Sequence, residues 1–166
     1  MAIIDAFTLF SGTLSNGVIT GQTVTGTNTS VVSTNSIDTQ AGLTLNTGGQ
    51  SVDLGKGQEF DLQFNVTTAF AGLTSLELQY VSADDAALTT NVTVLGSSGA
   101  ILLADLGAGK QHNLAVPKAD PRTVRRYVGC RYVIVGAGSA GAIAAGFTTI
   151  SGDLPQPAFK SGFAIS

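Results

Sequence analysis

From Val52 onward, apolar and polar residues alternate with a period of two. "EFDLQFNV" sets Phe60, Leu62, Phe64 and Val66 on one side of an extended chain and Glu59, Asp61, Gln63 and Asn65 on the other, so one face meets a core and the other water. "LTSLELQYV" repeats the pattern with Leu76, Leu78 and Tyr80. Asp84-Asp85 then marks a polar turn, and short strands follow in "TNVTVLG", "AILLA" and "KQHNLAVP", the last ending at Pro117. "RRYVGCRYVIVG" finishes in the apolar run Tyr132 to Val135, which predicts a central strand buried on both faces, and "GFTTI" closes the set. Eight or more short strands with turn signals between them, and no helical periodicity, predict an all-β fold: an antiparallel β-sandwich, jelly-roll-like.

The chain before Val52 has a different texture. Of the 40 residues from Ser11 to Gln50, 26 are Ser, Thr, Gly or Asn, and Asp38 is the single charge. Short β-prone pieces such as Val18-Ile19-Thr20 and Ser30-Val31-Val32 alternate with Gly and Asn, which predicts extended structure without a deep core of its own. Such a segment either forms ordinary surface hairpins or is an arm that becomes ordered only against another subunit. The chain therefore divides into an extended N-terminal arm or set of edge strands (1–36), a β-sandwich domain (37–150) and a C-terminal tail (151–166).

One motif points elsewhere. "VIVGAGSAG" runs an apolar strand into Gly136-x-Gly138-x-x-Gly141, the spacing used by dinucleotide-binding folds to bring a pyrophosphate to a helix N-terminus. That chemistry also needs a helix, a second parallel strand and an acidic residue about 20 positions later. Only 25 residues follow Gly141; Gly146 and the β-prone Phe147-Thr148-Thr149-Ile150 interrupt any helix, and Asp153 follows a glycine instead of ending a strand. The expected role is a strand ending in a flexible Gly/Ala turn that leads into the next strand, with no cofactor.

Composition narrows the function. The charged fraction is 11%, against roughly 25% for an ordinary soluble domain. Solubility thus rests on uncharged polar groups, and little charge repulsion opposes association, which favours life inside an assembly. No apolar run reaches the roughly 20 residues that span a bilayer, and "MAIIDAFTLF" lacks the basic start of a secretory signal, so no membrane partner is expected and the protein is read as cytoplasmic or particle-borne. The net charge of −3 is unevenly spread: residues 1–109 carry nine acids against Lys56 alone, while residues 110–131 carry six bases against Asp120. An acidic chain with one basic segment is not built as a nucleic-acid binder, and pairing with acidic protein surface suits it better.

Catalytic chemistry is thin. His112 is the sole histidine, which excludes a histidine-based metal site and leaves a triad dependent on this one residue; a solvated strand position accounts for it. Cys130 is alone and reads as a small core residue. Asp84-Asp85 lacks further ligands at defined spacing and reads as turn chemistry, not a cation site. No catalytic, cofactor or metal residue is assigned, and the chain is not read as an enzyme. "VPKADPRTVRRYVGCRYVIVG" is the most distinctive segment, bringing Arg122, Arg125, Arg126 and Arg131 onto or beside a strand. Guanidinium forks suit partly buried ion pairs, so these four are either an intersubunit or partner contact, or internal partners of Glu59, Asp61 or Glu77 on neighbouring strands.

"VDLGKGQEFDLQFNVTTAFAGLTSLELQYVSADDAAL", "GAILLADLGAGKQHNLAVP" and "RRYVGCRYVIVG", in that order, resemble the capsid cement (decoration) proteins of short-tailed bacteriophages, small jelly-roll proteins on the outside of an icosahedral head. The resemblance covers roughly residues 37–150. It implies a virion protein on the outer capsid surface, assembled in the host cytoplasm, that binds the major capsid protein, bridges capsomers and stabilises the DNA-filled head. It also implies self-association, as a homo-dimer or alternatively a trimer, with no direct contact to nucleic acid. A carbohydrate- or host-binding β-module of a phage tail or fibre is the alternative. Such a module calls for exposed aromatics, whereas the chain has no Trp and three Tyr.

Overall fold

The computed structural model describes residues 9–39, 60–116 and 124–149. The C-terminal tail assigned to 151–166 lies outside the described residues. In chain order the strands are β1 (Leu9–Ser11), β2 (Thr13–Ser15), β3 (Val18–Thr20), β4 (Gln22–Thr23), β5 (Gly26–Thr27), β6 (Ser30–Val32), β7 (Ile37–Asp38), β8 (Phe60–Ala83), β9 (Thr93–Leu102), β10 (Gln111–Ala115) and β11 (Tyr127–Thr149), with a 3-10 turn at Leu103–Asp105. The pairings are antiparallel throughout. As expected, the fold is an all-β sandwich.

The expectation of many short strands needs correction. "EFDLQFNV" and "LTSLELQYV" belong to one strand of 24 residues, and "RRYVGCRYVIVG" continues through "GFTTI" as one of 23. These two, β8 and β11, pair along their whole length, from Tyr127 opposite Ala83 to Thr149 opposite Phe60. No proline or continuous polar run interrupts either, so the ladder has no reason to stop. "TNVTVLG" and "AILLA" likewise merge into β9, joined through an irregularity between Ser97 and Ala100.

Two layers arise because this ribbon doubles over. Tyr80 is in register with Cys130 and Phe147 with Leu62. Cys130 and Phe147 are 17 residues apart on β11, about 56 Å if the strand were straight at about 3.3 Å per residue. Yet the rings of Tyr80 and Phe147 lie 6.2 Å apart, and Phe64 and Tyr132, likewise from opposite halves, are also 6.2 Å apart. The bend falls where the register slips repeatedly, between Val135 and Ile143 on β11 and between Ser75 and Val66 on β8. On β11 the inward phase also changes here, from Cys130, Tyr132 and Ile134 before the bend to Ile143, Ala145 and Phe147 beyond it, all buried.

Phe10 seals the fold from a third direction, packing edge-on against Phe147 at 4.9 Å and Tyr80 at 6.4 Å. Each such side chain contributes about 1.5–3 kcal/mol through burial. The Ser11 hydroxyl and the Tyr132 phenol hydrogen-bond at 2.6 Å inside the core. From residues 9–38, β1, β4, β5, β6 and β7 pair along the second edge of β11 in the same chain, with β6 and β7 on either side of the 36/37 boundary. β11 is central, as expected, but not buried on both faces. Tyr132 and Ile134 point into the core, whereas Val135 is 47% exposed on the outer side.

Candidate interaction surface

Gly136, Gly138 and Gly141 serve the bend. Gly136 has φ +95°, and a Cβ there would sit 2.8 Å from the Thr74 nitrogen; Gly141 has φ +142°, and a Cβ would overlap the Phe70 ring. Positive φ and close approach both require a missing side chain. The motif resembling a phosphate loop is therefore the hinge of a folded strand, not a strand-ending turn. A glycine pattern inside a strand also marks a bulge, which is the signal the sequence offered.

Arg122 lies outside the described residues, as does Glu59. The other three arginines all make contacts within the chain: Arg125 and Arg126 with acids other than those expected, and Arg131 with Gln79. Arg125 donates from Nη1 to both Asp84 carboxylate oxygens at 2.8 and 3.0 Å, and its Nε reaches Thr93 Oγ1 at 3.4 Å. Arg126 grips Asp38 with two parallel bonds of 3.0 and 2.8 Å and lies 5.1 Å from the centre of the Tyr127 ring. These contacts tie β7, the turn after β8 and the start of β9 to β11 at the open end of the sandwich. Asp61 sits in the other layer, opposite Ala115 and Thr148. The Asp38 contact raises the Arg126 pKa above its ordinary value, and hydrogen bonds from Asn91 and Arg125 lower that of Asp84. Both guanidinium groups remain reachable: the Arg125 and Arg126 side chains are 37% and 50% exposed.

Arg131 faces outward in the middle of the layer formed by β6, β11, β8 and β9. Its Nε donates to Gln79 Oε1 at 2.7 Å; Gln79 Nε2 donates to Glu77 at 2.7 Å, and Ser97 Oγ bonds the same Glu77 oxygen at 2.6 Å. Those two bonds, from Ser97 and Gln79, hold the Glu77 pKa below the usual carboxylate value. Of the two expected acids among the described residues, Asp61 and Glu77, it is Glu77 that lies near an arginine, with Gln79 between them. Around this polar chain the outer face is aliphatic. Val135, Val94 and Leu102 are 47%, 42% and 59% exposed there, whereas Val81, opposite Val94, is fully buried in a second small cluster with Ala83 and Leu88.

The remaining candidates have local explanations. Asp85 accepts hydrogen bonds from the Thr89 and Thr90 backbone N–H groups at 3.0 and 2.6 Å and from the Thr89 hydroxyl, which is turn chemistry. His112 is half-buried on β10, with Nε2 3.1 Å from the Asp105 carbonyl oxygen. Cys130 is fully buried in the core, and burial pushes its thiol pKa well up. Within the Ser-, Thr-, Gly- and Asn-rich stretch, β2 and β3 form a surface hairpin. Its Asn16-Gly17 turn, with φ +49° and +78°, is a standard hairpin signal, and it leaves Val18 64% exposed.

The Bbp16 family model matches residues 18–147. No curated protein matches the chain.

Proposed function

Because the chain belongs to the Bbp16 family, a phage-related protein family, we propose that it is a structural protein of the virion that binds the outer surface of the major capsid protein shell and bridges capsomers, stabilising the DNA-filled head. The observation that carries this reading is the family match over residues 18–147, which takes in most of the folded ribbon, joined to a chain poor in charge. Its outer layer offers aliphatic side chains around one small polar network, a composition suited to being covered by protein. Each contact to a capsomer can be weak, because a protein that bridges two capsomers forms its second contact at high effective concentration. In this reading Arg125 and Arg126 keep the open end closed and present their exposed faces to the shell.

The test is sedimentation of the purified chain with undecorated heads of the phage that encodes it. Saturable appearance in the head pellet is expected. Retention in the supernatant at all concentrations would remove the capsid reading.

A further inference from the structure

The β2–β3 hairpin is a sheet of its own, with Thr13, Leu14 and Ser15 paired to Thr20, Ile19 and Val18. All of β2, both ends of β3, and Asn16 and Gly17 in the turn between them are exposed. A two-stranded ribbon this short is marginally stable in water, so its turn opens at small cost while the sandwich stays folded. The turn also carries reactive chemistry. Of the seven asparagines in the chain, Asn16 is the one followed by glycine. A backbone nitrogen can attack the side-chain carbonyl of the asparagine before it, and glycine puts no side chain in the way. Space around Gly17 is open as well, since a Cβ built there would meet no atom within 4 Å.

Elsewhere the fold restrains the amide. Asn28 Oδ1 accepts from the Gly136 N–H at 2.8 Å, Asn35 Nδ2 donates to the Leu9 carbonyl at 3.1 Å, and Asn91 Nδ2 donates to Asp84 at 2.7 Å. Asn65 and Asn113 sit in ladder rungs of β8 and β10 and are followed by the bulky Val66 and Leu114.

We propose that Asn16 is a site of spontaneous deamidation, through which the hairpin acquires a negative charge as the protein ages while the sandwich stays intact. Base removes the Gly17 amide proton, and the nitrogen forms a bond to Asn16 Cγ. The bond from Cγ to the side-chain nitrogen breaks, ammonia leaves with a proton taken from solvent, and a cyclic imide remains. Water then adds to either imide carbonyl and opens the ring to aspartate or isoaspartate. The net change consumes one water and releases one ammonia, with no oxidant or metal. The closed turn holds Asn16 at φ +49°, and the pairing of Ser15 with Val18 resists the rotation that closes the ring, so reaction goes through the opened hairpin. Isoaspartate routes the main chain through the former side chain and lengthens the loop by one CH2, which a two-residue turn does not accommodate. Residues 13–20 carry no charge beforehand. This chemistry is independent of what the protein binds.

The test keeps the purified full-length chain in mildly alkaline buffer for days. Peptide mapping by mass spectrometry follows the exchange of amide NH2 for OH at each asparagine, and enzymatic methyl transfer counts isoaspartate. Conversion should concentrate at Asn16 and quicken as the pH rises, with Asn28, Asn35 and Asn91 left unchanged. Gly17→Ala should slow it about tenfold or more, even though Ala at φ +78° strains and loosens the turn. The converted chain should keep its Tm within about 2 °C, because changes on an exposed hairpin cost the core little. No conversion at Asn16, conversion spread evenly over the asparagines, a rate unmoved by Gly17→Ala, or a Tm that falls as conversion proceeds would overturn the proposal.

Discussion

The Tyr80 ring lies 6.2 Å from that of Phe147, although their strand positions belong to opposite halves of the β8–β11 ladder. That proximity makes a two-layer body out of what is, in hydrogen-bonding terms, one continuous ribbon. Everything else follows from how the ribbon is bent, stapled and covered.

The bend depends on glycine. Gly141→Val places a branched side chain at φ +142° and into the Phe70 ring, with overpacking added to backbone strain. A loss of about 3 kcal/mol or more is expected in urea unfolding, with Gly141→Ala intermediate and partly relieved by Phe70→Leu. The same residues give no reason for nucleotide affinity, so millimolar dinucleotide is expected to leave the Tm unchanged. A dinucleotide-dependent rise would reassign the motif.

The Ser11–Tyr132 hydrogen bond ties the N-terminal edge strand to the core. Tyr132→Phe leaves the Ser11 hydroxyl buried without this partner, at a cost of about 1–3 kcal/mol. Ser11→Ala combined with Tyr132→Phe should cost less than the sum of the single changes, because both ends of the bond are then gone. A double-mutant cycle in denaturant measures the coupling; strict additivity would contradict the contact.

Acid should weaken the outer layer. Glu77 has a folded-state pKa below its unfolded value, so the charged form is the one the native state prefers. Its contribution is fully present above the unfolded value of about 4.3 and is lost as the pH falls through the lower folded value. Asp84 and Asp85, also depressed, act in the same direction. Thermal melts from pH 7 to 2.5 should show the Tm falling below about pH 4. Glu77→Gln should make that fall shallower, and an unchanged slope would contradict the assignment.

Arg125→Ala with Arg126→Ala removes both ion pairs of the open end. Exposed pairs contribute little to stability, so a drop of only a few degrees in Tm is expected. Binding to heads should weaken. Unchanged binding would confine the two arginines to bracing the sheet.

Much of this body was legible before the structure. The period-two positions Leu62, Phe64, Val66, Leu76, Leu78 and Tyr80 are all core, because alternation in a strand maps directly onto two faces. What alternation does not carry is where a strand ends. Residues 67–72 read as a gap between strands, yet they are the bend of one, since bulges absorb extra residues without ending the ladder. Arginine partners were equally hard to place. Asp38 is 88 positions from Arg126, and only the folding-back of residues 9–38 along β11 brings them together.

A three-dimensional reconstruction of the mature virion by electron cryomicroscopy tests the central claim most directly. The account predicts density for this sandwich on the outside of the head, in contact with neighbouring capsomers. Density confined to the tail or its fibres, or a head whose outer surface shows only the major capsid protein, would contradict it.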